Sequence, residues 1–326
     1  MKRVMKFLIS MVPLMVVGGL LYAGLFIRPE PAGSSVEKPI FERGDSFYGI
    51  ALPSAEAFWA AGSGGKIVHS TDQGKSWELQ PTPVNDTLQD IEAWDSERAV
   101  AAGNDGVVLT TKDGGRSWHQ VEVPRSDIAN KFVRVRTMPG GVAWVVGAGG
   151  MALRSNDFGM TWESTAEQED ISWNDIFFVG RRGWLVGEFG NLRVSDDGGS
   201  SWQVVDSPVE DSLMAIAFRD SRHGVAVGMS GLVMTTSDGG KQWTVRAPVT
   251  AEHLFDVTWN GARWIAAGGD GVVLTAGAGA REWKAARSSQ QTRRWYTEVT
   301  HHKDGYYLAG ATLAWVENGA LKILSH

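Results

Sequence analysis

The chain of 326 residues contains no cysteine, which excludes a disulfide framework, a thiolate zinc site, a cysteine nucleophile and an acylated lipoprotein cysteine. It also lacks a P-loop, a dinucleotide-binding fingerprint and an HExxH motif, so the sequence predicts neither a cofactor nor a metal site. Glycine (40 residues) and tryptophan (15 residues) are abundant, whereas long apolar runs are few. This combination is typical of an all-β protein with many turns.

Acidic residues outnumber basic ones, and the imbalance lies beyond residue 28. The first 28 residues hold four basic side chains and no acid, so the remainder carries 27 basic and 37 acidic residues. An acidic body repels a phosphate backbone, which disfavours general nucleic-acid binding.

An uncharged run of 21 residues, 7–27, is long enough to cross the ~30 Å hydrocarbon core as a helix. Lys2, Arg3 and Lys6 precede it, which places residues 1–6 in the cytoplasm. A cleaved signal peptide is the alternative, but the run is long for one and no A-x-A site follows. We expect a single-pass inner-membrane anchor at 7–27, a linker at 28–43 and a domain at 44–326 on the periplasmic side.

One pattern recurs through this domain: Gly-x-x-Gly, an apolar run, then Ser/Thr-x-Asp-x-Gly-x-Ser/Thr-Trp. Six copies end at tryptophans spaced 40 to 44 residues apart, and a degenerate seventh occupies 308–324. A short alternating segment precedes each copy. Four short strands per ~40 residues predict a seven-bladed β-propeller of four-stranded blades. The closing tryptophans are Trp77, Trp118, Trp162, Trp202, Trp243 and Trp283.

The aspartate of each copy is suited to accept backbone N–H bonds within a hairpin turn, and the glycine two positions later is suited to positive φ. A metal-ligand role is the alternative, but one aspartate per blade leaves them too far apart to share an ion. The sixth copy has Ala278 and Ala280 instead, which predicts a looser turn with Trp283 packed normally. The aspartates are Asp72, Asp113, Asp157, Asp197 and Asp238.

The first strands place further charged residues on one face, which we expect to line a central channel. The acids are Asp90, Asp175, Asp256 and Glu298, with Arg134 at the matching position of the third unit. Two positions further along stand Glu92 and Arg136. The acids could form an acid/base pair or a binding site. We favour hydrogen bonds to backbone in neighbouring blades, because a recurring residue is more often structural than catalytic.

A glycoside hydrolase is the main enzymatic alternative, since the channel acids could supply a carboxylate pair at the required separation. A sialidase-like enzyme would need a tyrosine nucleophile and an arginine cluster. Candidate tyrosines in the body are Tyr48, Tyr296, Tyr306 and Tyr307, and candidate arginines are Arg134, Arg136, Arg293 and Arg294. No Arg-Ile-Pro opening is present, so we predict no catalytic residue. A propeller that binds carbohydrate without turnover remains a further alternative.

Basic residues cluster in the third and fourth units, at Arg125, Lys131, Arg134, Arg136, Arg154, Arg181, Arg182 and Arg193. On an acidic body they form a candidate docking face for a partner, and dispersed solubilising charge is the alternative. Arg193 occupies a position that is apolar in other units, so we expect it to pair within the channel or an interface. The partner-binding candidates are Arg134, Arg136, Arg181, Arg182 and Arg193.

The Ser/Thr-x-Asp-x-Gly-x-Ser/Thr-Trp element resembles the Asp-box, or bacterial neuraminidase repeat. The fuller unit, of which NDIFFVGRRGWLVGEFGNLRVSDDGGSSW (174–202) is the best copy, resembles the photosystem II stability/assembly factor family. The resemblance covers nearly all of 44–326. It implies a propeller without known enzymatic activity that acts as an assembly factor. In photosynthetic members the partner is a newly made reaction-centre subunit, and bacterial relatives are often linked with large export transporters.

We therefore expect a non-enzymatic, membrane-anchored scaffold or accessory factor for a membrane protein complex. The absence of a lipoprotein cysteine and of a transit peptide points to a bacterial relative.

Overall fold

The computed structural model describes residues 39–165, 167–288, 293–303 and 305–325, together with Val16, Val17 and Tyr22. The chain divides into two compact units, Met1–Pro39 and Ile40–His326. The predicted membrane segment 7–27 lies outside the described residues except at the three isolated positions. None of the helical residues that are described belongs to a helix long and apolar enough to span a membrane.

The second unit consists of seven antiparallel sheets of four strands, each formed by consecutive strands. Blade 1 contains β1 (Phe47–Ala51), β2 (Phe58–Gly62), β3 (Ile67–Ser70) and β4 (Glu78–Gln80). Blade 2 contains β5 (Leu88–Ala93), β6 (Ala99–Gly103), β7 (Val108–Thr111) and β8 (His119–Gln120). Blade 3 contains β9 (Phe132–Met138), β10 (Val142–Gly147), β11 (Ala152–Ser155) and β12 (Glu163–Ser164). Blade 4 contains β13 (Trp173–Val179), β14 (Arg182–Gly187), β15 (Leu192–Ser195) and β16 (Gln203–Val204).

The remaining three sheets follow the same order. Blade 5 contains β17 (Leu213–Phe218), β18 (Gly224–Gly228), β19 (Val233–Thr236) and β20 (Thr244–Val245). Blade 6 contains β21 (Leu254–Trp259), β22 (Arg263–Gly268), β23 (Val272–Gly277) and β24 (Trp283–Arg287). Blade 7 contains β25 (Tyr296–His302), β26 (Gly305–Gly310), β27 (Ala314–Glu317) and β28 (Ala320–Ile323). Short 3-10 turns lie at Ser63–Gly65, Asn104–Gly106, Pro139–Gly141, Glu188–Gly190, Met229–Gly231 and Gly269–Gly271.

The first strand of each blade contacts the first strand of the next, and β25 contacts β1, so the sheets close into a ring. The prediction of a seven-bladed propeller of four-stranded blades is confirmed. The fourth strand of blade 7 is β28, from the C-terminal end of the chain, and residues 39–43 form no strand. Ile40 and Phe41 instead pack against the cluster formed by blades 7 and 1.

The second strand of each blade ends in a glycine because another backbone segment lies too close to leave room for a side chain. Gly62 has an extended φ of −170°, yet a Cβ there would lie 2.0 Å from the carbonyl oxygen of Ser46. The same clash recurs in the other six blades, at Gly103, Gly147, Gly187, Gly228, Gly268 and Gly310. A side chain at this position would push the incoming segment away from the sheet.

The Asp-box aspartates close the hairpin between the third and fourth strands. Asp72 Oδ1 accepts hydrogen bonds from the backbone N–H groups of Lys75 and Ser76, at 3.0 and 2.8 Å, and Oδ2 accepts one from the Ser76 hydroxyl at 2.6 Å. Hydrogen bonds from Ser76 lower the pKa of Asp72 to about 2. Gly74 has a φ of 76°, as the motif predicts.

The sixth turn differs from the prediction of a looser hairpin. Without the aspartate, the β23–β24 ladder continues to the pair Ala276–Trp283, and Ala280 takes a φ of 49°. Backbone pairing therefore replaces the carboxylate bonds. Trp283 is buried, as expected.

Candidate functional site

In five of the seven blades a charged residue occupies the third position of the first strand: Asp90, Arg134, Asp175, Asp256 and Glu298. A register shift precedes this position in every blade, as between Leu88 and Asp90 in blade 2. Such a bulge turns the side chain that follows it toward a neighbouring element. The alternation of the strand then brings the residue two positions later, such as Glu92, to the same face.

Four of these acids tie one blade to the next. Each carboxylate accepts a hydrogen bond from a backbone N–H group in the first strand of the following blade. The pairs and their N···O distances are Asp90 with Val135 (2.8 Å), Asp175 with Ile216 (3.0 Å), Asp256 with Val299 (2.8 Å) and Glu298 with Ile50 (2.6 Å). These bonds correspond to the structural interpretation favoured from the sequence.

Arg134 projects into the middle of the ring and is nearly buried. Its guanidinium lies 3.5 Å from Asp175 Oδ1, 3.5 Å from Asp256 Oδ1 and 3.9 Å from Asp90 Oδ2. One arginine of blade 3 thus meets acids from blades 2, 4 and 6. Burial disfavours its charge, but Asp175 and the other acids outweigh this and raise its pKa.

Arg136 lies beside it and bridges two neighbouring blades. Its Nη2 is 3.1 Å from Asp175 Oδ1 and its Nη1 is 3.5 Å from Glu92 Oε1. The channel therefore holds two arginines and five carboxylates. We call the latter the channel carboxylates: Asp90, Glu92, Asp175, Asp256 and Glu298.

Burial dominates the protonation of most of these acids. It raises the pKa of Glu92 to about 7 against the opposing charge of Arg136. It also raises the pKa of Asp90 and of Asp256, although Arg134 opposes both shifts. The pKa of Glu298 lies well above its usual range because of burial and the neighbouring Asp90. The pKa values of Asp90, Glu92, Asp256 and Glu298 are thus all raised, with burial as the main cause.

The arginines separate two cavities at opposite ends of the channel. The cavity of about 410 Å³ lies where the first strands end, and Glu92, Arg136, Asp256 and Glu298 contribute to it. We call it the wide mouth. The other cavity, of about 340 Å³, lies where these strands begin, and Tyr48, Lys131 and Arg134 contribute to it.

The pKa values of Tyr296, Tyr306 and Tyr307 are raised rather than lowered. Burial raises the pKa of Tyr306 and of Tyr307 to about 12 each. Tyr48 stacks on Trp295, with ring centroids 5.6 Å apart, and Tyr296 is fully buried. A nucleophile is activated by a lowered pKa or an adjacent base, whereas burial here acts in the opposite direction.

The structure separates the five candidate partner-binding arginines. Arg134 and Arg136 lie in the channel. Arg182 pairs with Asp196 at 3.2 Å. Arg193 pairs with Glu169, in the segment between blades 3 and 4, at 2.7 Å and lies over the Trp173 ring. Arg193 therefore pairs with the segment that precedes its own blade.

Arg181 lies instead at an exposed groove with Arg154, which the candidate set did not include. This basic groove has a volume of about 350 Å³, and its lining includes Trp144, Arg154, Arg181, Asp197 and Ser200. Among the described residues, no carboxylate forms an ion pair with either arginine: Arg181 donates to the carbonyl of Asp197, and Arg154 lies over the Trp144 ring. The Asp197 carboxylate is held within its own turn by Ser201.

No metal site accompanies these features. Over the residues that the structure describes, no group of three or more His, Asp or Glu side chains could hold a metal ion.

The fold and its Asp-box turns define an Asp-box β-propeller. A sequence profile for the photosynthesis system II assembly factor YCF48 matches residues 75–169 and 199–293, more than half of the chain. The chain belongs to this family, which confirms the resemblance drawn from the repeat. No curated protein matches significantly.

Solved structures with the same fold include two YCF48 proteins. One, described as YCF48 bound to a D1 peptide, is 16% identical with a TM-score of 0.68 over 84% of this chain and 95% of that one. YCF48 from Cyanidioschyzon merolae is 14% identical with a TM-score of 0.67 over 82% and 93%. The computationally designed Ika8 protein is 12% identical with a TM-score of 0.62 over 86% of both chains.

Proposed function

We propose that this protein is a non-enzymatic scaffold that holds an acidic, extended segment of a membrane protein during assembly. The observation that carries the proposal is the basic groove, which Arg154 and Arg181 line with no acidic ion-pair partner among the described residues. Guanidinium groups without an acidic partner are suited to bind carboxylates. Family membership and the D1 peptide held by a YCF48 structure support this role.

The channel supports a scaffold better than a hydrolase. Four of its carboxylates accept backbone hydrogen bonds between blades, and both arginines pair with acids. Groups bound in this way stabilise the ring and do not present a free acid/base pair to a sugar. A glycoside hydrolase and a carbohydrate-binding protein are the two alternatives to the scaffold function.

We further propose that residues 7–27 anchor the chain in the inner membrane with the propeller in the periplasm. The natural absence of cysteine makes single-cysteine labelling a direct test. In intact spheroplasts, a membrane-impermeant maleimide should label Lys241→Cys and leave Lys2→Cys unlabelled. Labelling of Lys2→Cys alone would reverse this topology.

The docking role is tested by affinity purification from native membranes with Arg181→Glu and a matched control, Arg116→Glu. Both arginines donate to the carbonyl of an Asp-box aspartate, but Arg116 belongs to blade 2. We expect a membrane protein to co-purify with the wild type and Arg116→Glu and to be lost from Arg181→Glu. Equal recovery with both variants, or hydrolysis of a sugar substrate by the purified protein, would contradict the proposal.

A further inference from the structure

The wide mouth of the channel combines acids with aromatic walls. Glu92, Asp256 and Glu298 reach it from blades 2, 6 and 7, and Phe177, Phe218 and Trp259 are among its apolar lining. A volume of about 410 Å³ falls in the range of small-ligand sites. An arrangement of this kind is suited to a cation that carries an apolar chain.

One acid at this mouth has an oxygen with no hydrogen-bond donor. Asp256 is almost completely buried, and its Oδ2 accepts the N–H of Val299. Its Oδ1 is buried without a hydrogen-bond partner, and Nη2 of Arg134 lies 3.5 Å away. Asp256 Oδ1 has an ion pair with Arg134 but no hydrogen-bond donor, so it can still accept a bond from a further partner.

The charge balance of the channel indicates the sign of that partner. Five channel carboxylates surround the guanidinium groups of Arg134 and Arg136, so the acidic groups outnumber the basic ones by three. Burial raises the pKa of Glu92 to about 7, which means that protons take the place of a cation when the site is empty. A bound cation would displace these protons.

The lining favours an organic cation over a metal ion. The described side chains provide no set of three ligands close enough for a metal. The rings of Phe177 and Phe218 have centroids 6.4 Å apart. Aromatic rings of this kind can contact an alkyl chain or a cation placed over a ring face.

We propose that the wide mouth binds an alkylammonium group, with Glu92, Asp256 and Glu298 as its anionic partners. The group belongs either to a free amine or to a lysine side chain of a partner. The wide mouth is distinct from the basic groove, so failure of the docking role would not contradict amine binding at the wide mouth.

The test is calorimetric titration of the full-length protein at pH 8 with n-butylamine, and with n-butanol as the neutral isostere. The variant is Glu92→Gln, which keeps the side-chain shape, and Glu122→Gln, an exposed acid outside the channel, is the matched control. We expect saturable binding of the amine alone, weakened at least about ten-fold by Glu92→Gln and unchanged by Glu122→Gln. Thermal denaturation of each variant confirms that it is folded.

A second arm distinguishes the sources with the tripeptides acetyl-Gly-Lys-Gly-amide and acetyl-Gly-Leu-Gly-amide. Tighter binding of the lysine peptide than of butylamine identifies a polypeptide partner, and the reverse identifies a free amine. Because the amine stays charged while Glu92, whose pKa is raised to about 7, takes up a proton, affinity should fall from pH 8 to pH 6. Absence of saturable binding by both cations, equal binding of butanol, equal effects of the two glutamine variants, or an affinity no lower at pH 6 would overturn the proposal.

Discussion

The carboxylate of Glu298 accepts a 2.6 Å hydrogen bond from the backbone N–H of Ile50, and this bond joins the last blade to the first. Blade 7 is built only from the C-terminal strands and blade 1 only from the N-terminal ones, so the blades exchange no strand at the closure. The neighbouring contacts are also made by side chains: Tyr48 stacks on Trp295, and the Thr297 hydroxyl donates to the Tyr48 carbonyl at 3.1 Å.

Replacing Glu298 should therefore loosen the closure. Glu298→Gln retains an acceptor oxygen, whereas Glu298→Ala leaves the buried N–H of Ile50 unpaired at a cost of ~1–3 kcal/mol. For a domain of this size we expect the alanine variant to melt roughly 2–10 °C below the glutamine variant. Thermal denaturation of the two variants in the same buffer gives the comparison. Identical melting of the two variants would show that the bond does not hold the ring.

Stability should fall as the pH rises through neutrality. Burial raises the pKa of Glu92 to about 7 in the folded ring, so the folded state binds more protons than the unfolded state above pH ~4.3. This contribution is complete below the unfolded pKa and is lost as the pH passes the folded one. The Tm should be lower at pH 8.5 than at pH 5.5, and Glu92→Gln should reduce the difference. A Tm that rises over this interval would contradict the assignment.

Gly49 occupies the position that an acid fills in four other blades, and the structure explains why. A Cβ at Gly49 would lie 2.6 Å from the Cα and Oδ1 of Asp90. Gly49→Ala should therefore destabilise the ring by ~3 kcal/mol. Gly277→Ala is the control, since nothing lies within 4 Å of a Cβ there and its φ is not positive. Chemical denaturation should separate the two, and equal midpoints would refute the close approach.

The pair of Arg193 and Glu169 should act on stability rather than on partner binding. The guanidinium donates to both carboxylate oxygens at 2.7 Å across the segment that joins blades 3 and 4. A double-mutant cycle of Arg193→Leu and Glu169→Gln should give a coupling of roughly 0.5–1 kcal/mol. The opposite result would be zero coupling together with loss of the membrane partner from Arg193→Leu at unchanged stability. It would show that Arg193 binds the partner and does not stabilise the fold.

Most of the fold could be predicted from the sequence repeat. The spacing of the closing tryptophans predicted the number of blades, and the alternating segment before each copy predicted a first strand that the structure contains. Both signals are local because each blade is a near-copy of the others with hydrogen bonds inside its own sheet. The bond patterns of Asp72 and Gly74 were predictable for the same reason: both lie within one hairpin.

Apart from the hydrogen bonds of the channel acids, the contacts between blades could not be predicted from the repeat. The basic groove joins Arg154 of blade 3 to Arg181 of blade 4, and sequence spacing does not report which exposed side chains meet across a blade boundary. Glu169 lies between two repeats and has no equivalent in the pattern, so no sequence signal identified it as the partner of Arg193. Gly49 could be recognised as a departure from the acid pattern, but its cause is the position of Asp90 in another sheet.

Site-specific photo-crosslinking in native membranes tests the docking role most directly. A benzoylphenylalanine at Ser200 lies in the basic groove, and one at Arg116 occupies the corresponding Asp-box position of blade 2. We expect position 200 to crosslink to a membrane protein and position 116 to give no such product. Crosslinking from position 116 alone, or from neither position, would contradict a docking site between blades 3 and 4.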